Sequence, residues 1–263
     1  MNILIFSLCA LLQGSTPSSY PYPAPSQAEV AKDPMALSAK LLSTVTAAKS
    51  PQNLQTQLRE LSPNELAVAL NTDDKRKAFW INVYNSYIIS ILKEQPALFE
   101  DRSAFFTKKR MTIAQTDLSF DDIEHGFLRR SKIKLSLGLL NNPFPGRVEK
   151  MFRVTKVDPR IHFALNCGAA SCPPVRIYKA DNIDKLLEKA SKSYLQKTSV
   201  YNKAANAISI TPLMSWFRGD FGGKKGVKFM LKKYKVIPKK ANPSIDYLSY
   251  DWTLDLDNVI RGR

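Results

Sequence analysis

The chain has 263 residues, of which 44% are hydrophobic and 24% are charged. These proportions are ordinary for a globular protein and exclude wholesale disorder. The formal net charge of +16 is far from ordinary, and it favours anionic partners such as nucleic acid, acidic lipid headgroups or cell-wall polymers. A basic chain that is merely soluble is the plainer interpretation.

The first residues predict export. Residues 2–12, NILIFSLCALL, form an uncharged apolar run that is too short to span a bilayer and is typical of a secretory signal. We predict a signal peptide over residues 1–14, a Pro- and Ser-rich linker over 15–33, and a folded domain over 34–263. The expected location is periplasmic or extracellular. A buried N-terminal strand is the competing interpretation.

Residue spacing predicts mostly helix, with a few short strands. Ser62-Pro63-Asn64-Glu65 has the form of a capping box with proline in the first helical position. The predicted helices are 34–45, 63–70, 73–94, 119–130, 181–196 and 224–234, with a short one after Thr211-Pro212. The predicted strands are 110–114, 160–165 and 250–254, with a hairpin over 201–210. We expect one α+β domain, with helices packed on a small mixed or antiparallel sheet.

Helix 119–130 carries two candidate catalytic side chains. At about 100° per residue its apolar side chains define one face, with Glu124 in the middle of that face and His125 at its edge. A carboxylate that points into a core is costly unless it is paired or hydrogen-bonded. Glu124 is therefore either a structural ion-pair partner or a functional acid, and its presence strengthens the case for His125.

Residues 158–174, DPRIHFALNCGAASCPP, hold the other candidates. In the predicted strand, His162 lies on the face opposite the apolar side chains. Cys167 follows the end of that strand, and Cys172 is biased toward an extended conformation by the proline after it. Because removal of the signal would also remove Cys9, two cysteines would remain, an even count that suits a disulfide in an oxidising compartment.

Three interpretations of these residues stay open. A cysteine thiolate could be a nucleophile that a histidine activates and a third group orients. Alternatively, Cys167 and Cys172 could form a structural disulfide. In the third interpretation both cysteines bind metal with His125 and His162, but CxxxxC is not a common zinc spacing and there is no second cysteine pair. We therefore expect no metal and no cofactor.

Several blocks of this sequence resemble the DUF547 family, a domain of unknown function found in bacteria, plants and other eukaryotes. Together they cover roughly residues 70–254 in the family's order. The blocks are FWINVYN at 79–85, LSFDDIEHGFLR at 118–129, the segment 158–178, WF at 216–217 with DFG at 220–222, and YDW at 250–252.

The resemblance implies something about the roles of these residues. Many plant relatives keep a cysteine at the position of Cys167 and a histidine at that of His125, and they often lack counterparts of Cys172 and His162. The resemblance thus favours Cys167 as nucleophile and His125 as its base, and it argues against an obligatory disulfide. Fusion of some relatives to glutaredoxin domains hints at thiol chemistry. Because the histidine precedes the cysteine, a permuted papain-like arrangement is a fold-level analogy.

Two hypotheses from different classes follow. In the first, the protein is an exported thiol-dependent hydrolase or acyltransferase that acts on a small-molecule or peptide-like amide or thioester. Cys167 attacks a carbonyl, His125 is base and then acid, Glu124 orients the imidazole, and His162 supports the site. Adjacent helical residues point about 100° apart, however, which places Glu124 poorly for a hydrogen bond to His125.

In the second hypothesis the protein is a non-catalytic, basic envelope protein. The lysines of residues 224–240 bind an anionic polymer or a membrane surface, and Cys167 and Cys172 are oxidised to a disulfide. The chain has no nucleic-acid-binding motif, so we expect no specific nucleic-acid partner.

Overall fold

The computed structural model describes residues 33–260. The predicted signal peptide and nearly all of the predicted linker lie outside the described residues. The described part belongs to one compact unit that combines helices with two small sheets. The α+β prediction is therefore confirmed.

The bounds of the elements follow. The α-helices of the described part are α1 (Pro34–Thr46), α2 (Gln52–Glu60), α3 (Pro63–Ala69), α4 (Asp73–Glu94), α5 (Arg102–Thr107), α6 (Arg147–Phe152), α7 (Ile183–Thr198), α8 (Leu213–Trp216) and α9 (Gly223–Lys233). A π-helix spans Asp122–Leu128, and 3₁₀ turns span Pro96–Phe99, Lys134–Ser136, Pro159–Phe163 and Ala180–Asn182. The strands are β1 (Met111–Ile113), β2 (Thr116–Leu118), β3 (Val200–Asn202), β4 (Ala207–Ile210) and β5 (Ser244–Tyr247).

Side-chain caps determine where the early helices begin. The Ser62 hydroxyl accepts the N–H of Glu65, and the Glu65 carboxylate accepts the N–H of Ser62, so the predicted capping box begins α3. Thr72 caps α4 by accepting the Lys75 N–H at 3.3 Å. The predicted bounds of α4 agree with the structure because this cap marks its start and Pro96 follows its end.

Helix α4 is the centre of the main core. Its residues are buried almost continuously from Lys77 to Ser90, and α1 packs along it. A second apolar cluster lies among α7, β4, α8 and α9. Within residues 33–260, no helix combines the length and apolar character that a transmembrane span requires.

The two sheets are small. Strands β1 and β2 form an antiparallel hairpin in which Met111 pairs with Leu118. Strand β4 lies between β3, which is antiparallel to it, and β5, which is parallel to it. The three-stranded sheet is therefore mixed, and the predicted hairpin over 201–210 is its β3–β4 edge.

Two predicted strands are wrong. The segment 160–165 forms a 3₁₀ turn, because Pro159 fixes a helical φ and the Asp158 carboxylate accepts the N–H of Arg160 at 3.1 Å. The segment 250–254 belongs to neither sheet and makes only one isolated bridge, from Leu254 to Ala169. The strand near the C-terminus is instead β5.

Candidate functional site

Two buried asparagines hold the cysteine loop against α4. Asn85, in α4, donates through Nδ2 to a main-chain carbonyl at 2.9 Å, and its Oδ1 accepts the N–H of Asn166 at 2.9 Å. Asn166 accepts the N–H of Gly168 at 2.8 Å and donates to the carbonyl oxygen of Pro173 at 2.9 Å. Buried amides require such partners. The two asparagines thus fix the chain on both sides of Cys167.

The C-terminal segment covers the other side of this loop. Gly168 has a φ of +93°, a conformation that favours glycine, and its carbonyl oxygen accepts the N–H of Asp255 at 2.8 Å. The N–H of Ala170 donates to the carbonyl oxygen of Thr253 at 2.8 Å. This pairing brings Tyr250, earlier in the same segment, to the cysteines.

Cys167 and Cys172 form a disulfide in the structure, with their Cα atoms 6.3 Å apart. Cys172 is buried, and its sulfur accepts the N–H of Cys167 at 3.0 Å and the hydroxyl of Tyr250 at 3.2 Å. Cys167 is half-buried, and its sulfur lies 3.7 Å from the same hydroxyl. Of the two cysteines, Cys167 is the one that lines the pocket described below.

The helix predicted over 119–130 is wound as a π-helix. It begins with a reciprocal cap in which the Ser119 hydroxyl accepts the N–H of Asp122 at 3.1 Å and the Asp122 carboxylate accepts the N–H of Ser119 at 2.7 Å. The N–H of Arg129 donates to the carbonyl oxygen of Glu124, five residues earlier, which is the hydrogen bond of a π-helical turn. Such π-helical turns are rare in proteins, and those that do occur are often found at functional sites.

A buried ion pair links this π-helix to the loop before α9. The Nε of Arg129 donates to Oδ2 of Asp220 at 2.6 Å, and both side chains are fully buried. The Nε2 of His162 lies 2.8 Å from the same oxygen, while its ring stacks on Phe217. Burial alone would raise the pKa of Asp220, but hydrogen bonds from His162 and Arg129 hold it below its usual value. Asp220 is therefore an ionised acceptor.

Arg129 also determines the protonation of His125. Its Nη1 lies 2.8 Å from Nδ1 of His125, and since a guanidinium only donates, Nδ1 is the acceptor. Burial, together with the positive charge of Arg129, holds the pKa of His125 well below its usual value. The ring is therefore neutral, with its proton on Nε2, which lies 3.6 Å from Oδ1 of Asp121. His125 presents a donor rather than a free lone pair.

These residues meet around one pocket of about 360 Å³. Four of the sequence-predicted side chains line it: Glu124, His125, His162 and Cys167. The remaining wall is mostly apolar and aromatic, and includes Leu165, Leu213, Trp216, Phe217, Tyr250 and Trp252. Within the described residues, no group of three or more His, Cys, Asp or Glu side chains could hold a metal ion.

Glu124 is a pocket carboxyl whose pKa lies near neutral pH. Burial raises the pKa of its carboxyl to about 7, opposed in part by the positive charge of Arg129. The Tyr84 hydroxyl donates to Oε2 of Glu124 at 3.2 Å. The other oxygen, Oε1, is 4.0 Å from Nδ1 of His125, too far for a hydrogen bond. As the helical geometry predicts, Glu124 does not orient His125 directly.

Sequence reasoning did not single out every residue of this site. Cys172, predicted as a disulfide partner, lies behind Cys167 and outside the pocket lining. The residues it missed contact the predicted ones and each belongs to a block of the DUF547 resemblance: Tyr84, Arg129, Asp220 and Tyr250. Their place in those blocks was the available signal.

The fold and pocket define an α+β domain that gathers two histidines, a buried carboxyl and a cysteine at one site. Residues 68–195 match the family described as "Protein of unknown function, DUF547", and the chain carries this domain. The resemblance is thereby confirmed for this segment, whereas the blocks at 216–222 and 250–252 lie outside the match and stay a prediction. No curated protein and no solved structure matched the chain significantly. The permuted papain-like arrangement accordingly stays a prediction.

Replacement of Glu124 by glutamine tests the raised pKa. Between the usual value of 4.5 and about 7, the folded protein binds a proton that the unfolded chain has lost. Stability therefore falls as pH rises through this interval, by up to about 3 kcal/mol at ~1.4 kcal/mol per unit. Glutamine has no charge to bury and still accepts from Tyr84. We expect Glu124→Gln to be about 1–3 kcal/mol more stable than wild type at pH 8 and nearly equal to it at pH 5.

The measurement is urea unfolding at both pH values. Glu100→Gln, a change at an exposed position, is the matched control and should alter stability equally at pH 5 and pH 8. The same stability difference between Glu124→Gln and wild type at both pH values would contradict the raised pKa.

Proposed function

We propose that this protein is a thiol-dependent hydrolase or acyltransferase that acts on a small-molecule or peptide-like amide or thioester. One observation carries the proposal: Cys167 lines the same pocket as Glu124, a carboxyl whose pKa is about 7. A group that titrates near neutrality can both accept and return a proton under ordinary conditions. The apolar and aromatic wall suits an organic substrate and helps to exclude water.

The reaction begins from the dithiol form. The Cys167 sulfur attacks the substrate carbonyl carbon, a C–S bond forms, and the thiol proton passes to the Glu124 carboxylate. Glu124 then returns that proton to the leaving group as the bond to it breaks, which leaves an acyl thioester on Cys167. Water, or an acceptor in a transferase, attacks this thioester and releases the acyl group and the free thiol.

In this proposal His125 has a different role from the expected base. Its Nδ1 is occupied by Arg129, so its Nε2–H serves as a donor to the oxyanion that develops on the substrate. A neutral histidine that acts as a donor also avoids placing a second positive charge beside Arg129. His162, bound to Asp220, helps to hold Arg129 and thereby the His125 ring.

The disulfide is an inactive form in this proposal. A thiol reductant supplies the two electrons and two protons that convert Cys167 and Cys172 to two thiols. Disulfides persist outside the cytoplasm, so the bond supports a periplasmic or extracellular location. Because Cys172 is buried and Cys167 faces the pocket, reduction presents the Cys167 thiol to substrate.

The test is hydrolysis of a panel of aryl thioesters, aryl esters and anilides by the full chain, with and without dithiothreitol. We expect turnover only after reduction, with a rate that rises as pH increases through about 7, because Glu124 must be ionised to accept the thiol proton. Equal turnover by protein whose disulfide is intact would contradict the proposal. So would inactivity toward every class once mass spectrometry shows that both thiols are free.

A second candidate is a non-catalytic protein that binds anionic polymers. The disulfide favours it, since an oxidised Cys167 is no nucleophile. So do the exposed lysines of α9 and the turn after it: Lys224, Lys225, Lys233, Lys235, Lys239 and Lys240. This function requires salt-sensitive binding to an anionic polymer that survives Cys167→Ser. Such binding, together with inactivity of the reduced protein, would favour the second candidate over the first.

A further inference from the structure

Residues 133–144 form an exposed apolar loop beside the pocket. Six large apolar side chains in these twelve residues are exposed, led by Leu135 at 90% and Phe144 at 87%. The other four are Ile133, Leu137, Leu139 and Leu140. Soluble proteins seldom expose apolar side chains in such concentration, and where they do the surface commonly binds a partner or a membrane.

Part of the backbone of this loop is hydrogen-bonded within the loop itself. The N–H of Ile133 donates to the carbonyl oxygen of Leu140 at 3.0 Å, and the N–H of Leu139 donates to that of Ser136 at 2.9 Å. The Ser136 hydroxyl donates to the carbonyl oxygen of Ile133 at 2.7 Å and accepts the N–H of Leu140 at 3.1 Å. The main-chain groups that are paired in this way do not need water when the loop enters an apolar medium.

The loop is also fastened to the domain. The N–H of Gly219 donates to the carbonyl oxygen of Leu137 at 2.7 Å, and Lys134 pairs with Asp121 at 2.7 Å. Gly138 has a φ of +78°, and a Cβ there would lie 2.6 Å from Oδ1 of Asp220. The exposed side chains therefore project from a braced segment next to the buried ion pair.

The charges around the loop indicate what it contacts. Between residues 133 and 146 the only charged side chain is Lys134. The chain on either side of the loop, residues 130–132 and 147–150, carries four basic residues and one acidic residue: Arg130, Lys132, Arg147 and Lys150, with Glu149. An apolar tip with basic flanks complements a bilayer, whose acyl region takes the tip and whose anionic headgroups attract the flanks. The net charge of +16 adds a long-range attraction to the same surface.

We propose that residues 133–144 insert into the surface of an anionic lipid bilayer. This surface is distinct from the lysine-rich α9, and insertion differs from electrostatic adsorption because apolar side chains leave water. Leu135 and Leu137 also line the pocket, so docking places the pocket mouth at the lipid surface. A substrate with an acyl chain fits that position, and this last step alone rests on the proposed function.

The experiment measures how much of the full chain sediments together with vesicles made of equal parts phosphatidylglycerol and phosphatidylcholine. Wild type and each variant are compared. We expect the double change Leu135→Ser with Phe144→Ser to weaken binding at least about tenfold, because two large apolar side chains no longer leave water. Both positions are exposed, so the variant should fold, and circular dichroism checks this. Phe229→Ser, at an exposed aromatic of α9, is the matched control and should bind like wild type.

A second variant tests insertion directly. Phe144→Trp should show a blue-shifted emission with these vesicles and quenching by brominated acyl chains, both measured against wild type. Vesicle binding by the double variant at the wild-type level would overturn the proposal and assign binding to the N-terminal apolar run or to α9. Concentration-dependent dimers without vesicles that the double variant abolishes would instead assign the loop to contact between two copies.

These readouts are independent of catalysis. Cys167→Ser should bind vesicles like wild type, so loss of turnover with retained binding would overturn the proposed function alone. Retained turnover with no vesicle binding would overturn membrane docking alone.

Discussion

Cys167→Ser is expected to lower turnover by the reduced protein at least about a thousandfold, the usual scale for loss of a catalytic nucleophile. Serine keeps the side-chain size, yet its hydroxyl is a far weaker nucleophile than a thiol at neutral pH. Cys172→Ser should instead remove the need for a reductant. Because this change leaves Cys167 without a disulfide partner, the variant should turn over substrate without dithiothreitol.

The two variants control each other. Both lose the disulfide, and because the bond closes a loop of residues only five apart, the stability lost with the bond itself is small and common to both variants. Thermal unfolding of each variant checks that equality. The measurement is kcat/KM with and without dithiothreitol on the substrate that wild type turns over fastest. Equal activity of Cys167→Ser and wild type would exclude Cys167 as nucleophile, and reductant-dependent turnover by Cys172→Ser would exclude the disulfide as the inactive form.

Asp220→Asn is expected to destabilise the protein by about 3–5 kcal/mol, because it leaves the charge of Arg129 buried without a partner. The asparagine side chain keeps the shape of the aspartate but carries no charge. Both members of the pair are fully buried, and His162 shares the same oxygen of Asp220. Urea unfolding at pH 7 measures the loss, and a change under about 0.5 kcal/mol would contradict the importance of this pair.

Two further variants sharpen that result. Glu188→Gln removes a half-exposed carboxylate that pairs with Lys233 and Arg160. Because glutamine still accepts the Tyr234 hydroxyl, the change should cost less than about 1 kcal/mol. The double variant Arg129→Met with Asp220→Leu removes both buried charges. It should be more stable than Asp220→Asn, since well-packed apolar side chains often replace a buried pair without loss. Equal destabilisation by Glu188→Gln and Asp220→Asn would show that burial of the pair has no special effect.

Local signals in the sequence predicted much of the fold. Helix α4 was predictable because the Thr72 cap, a long apolar stripe and Pro96 act on the same segment. The alternation in residues 160–165 was misleading, since apolar side chains in a buried 3₁₀ turn can imitate a strand. There the cap at Asp158 and the ring of Pro159 outweigh the alternation.

The candidate site likewise contains some residues that were predictable from the sequence and others that were not. Glu124 was predictable because a carboxyl on an apolar helical face must be paired or perturbed, and burial does raise its pKa to about 7. Arg129, the partner of His125, follows it by four residues at the end of the same helix, so that contact is local. Asp220, the partner of His162, could not be placed from local sequence. Arg129 and Asp220 are 91 residues apart in the chain, and only the fold brings them together. The π-helical winding also depends on tertiary packing, for which helical periodicity gives no warning.

The most direct measurement of the central claim is the intact mass of the reduced protein after brief reaction with an activated aryl thioester, followed by peptide mapping. A Cys167 thiol that acts as nucleophile should retain one acyl group, and Cys167→Ser should retain none. Glu124→Gln should form the acyl-enzyme more slowly, since the pocket loses its proton acceptor. Acylation of Cys172 in place of Cys167, or no acyl group on either cysteine during turnover, would contradict the claim.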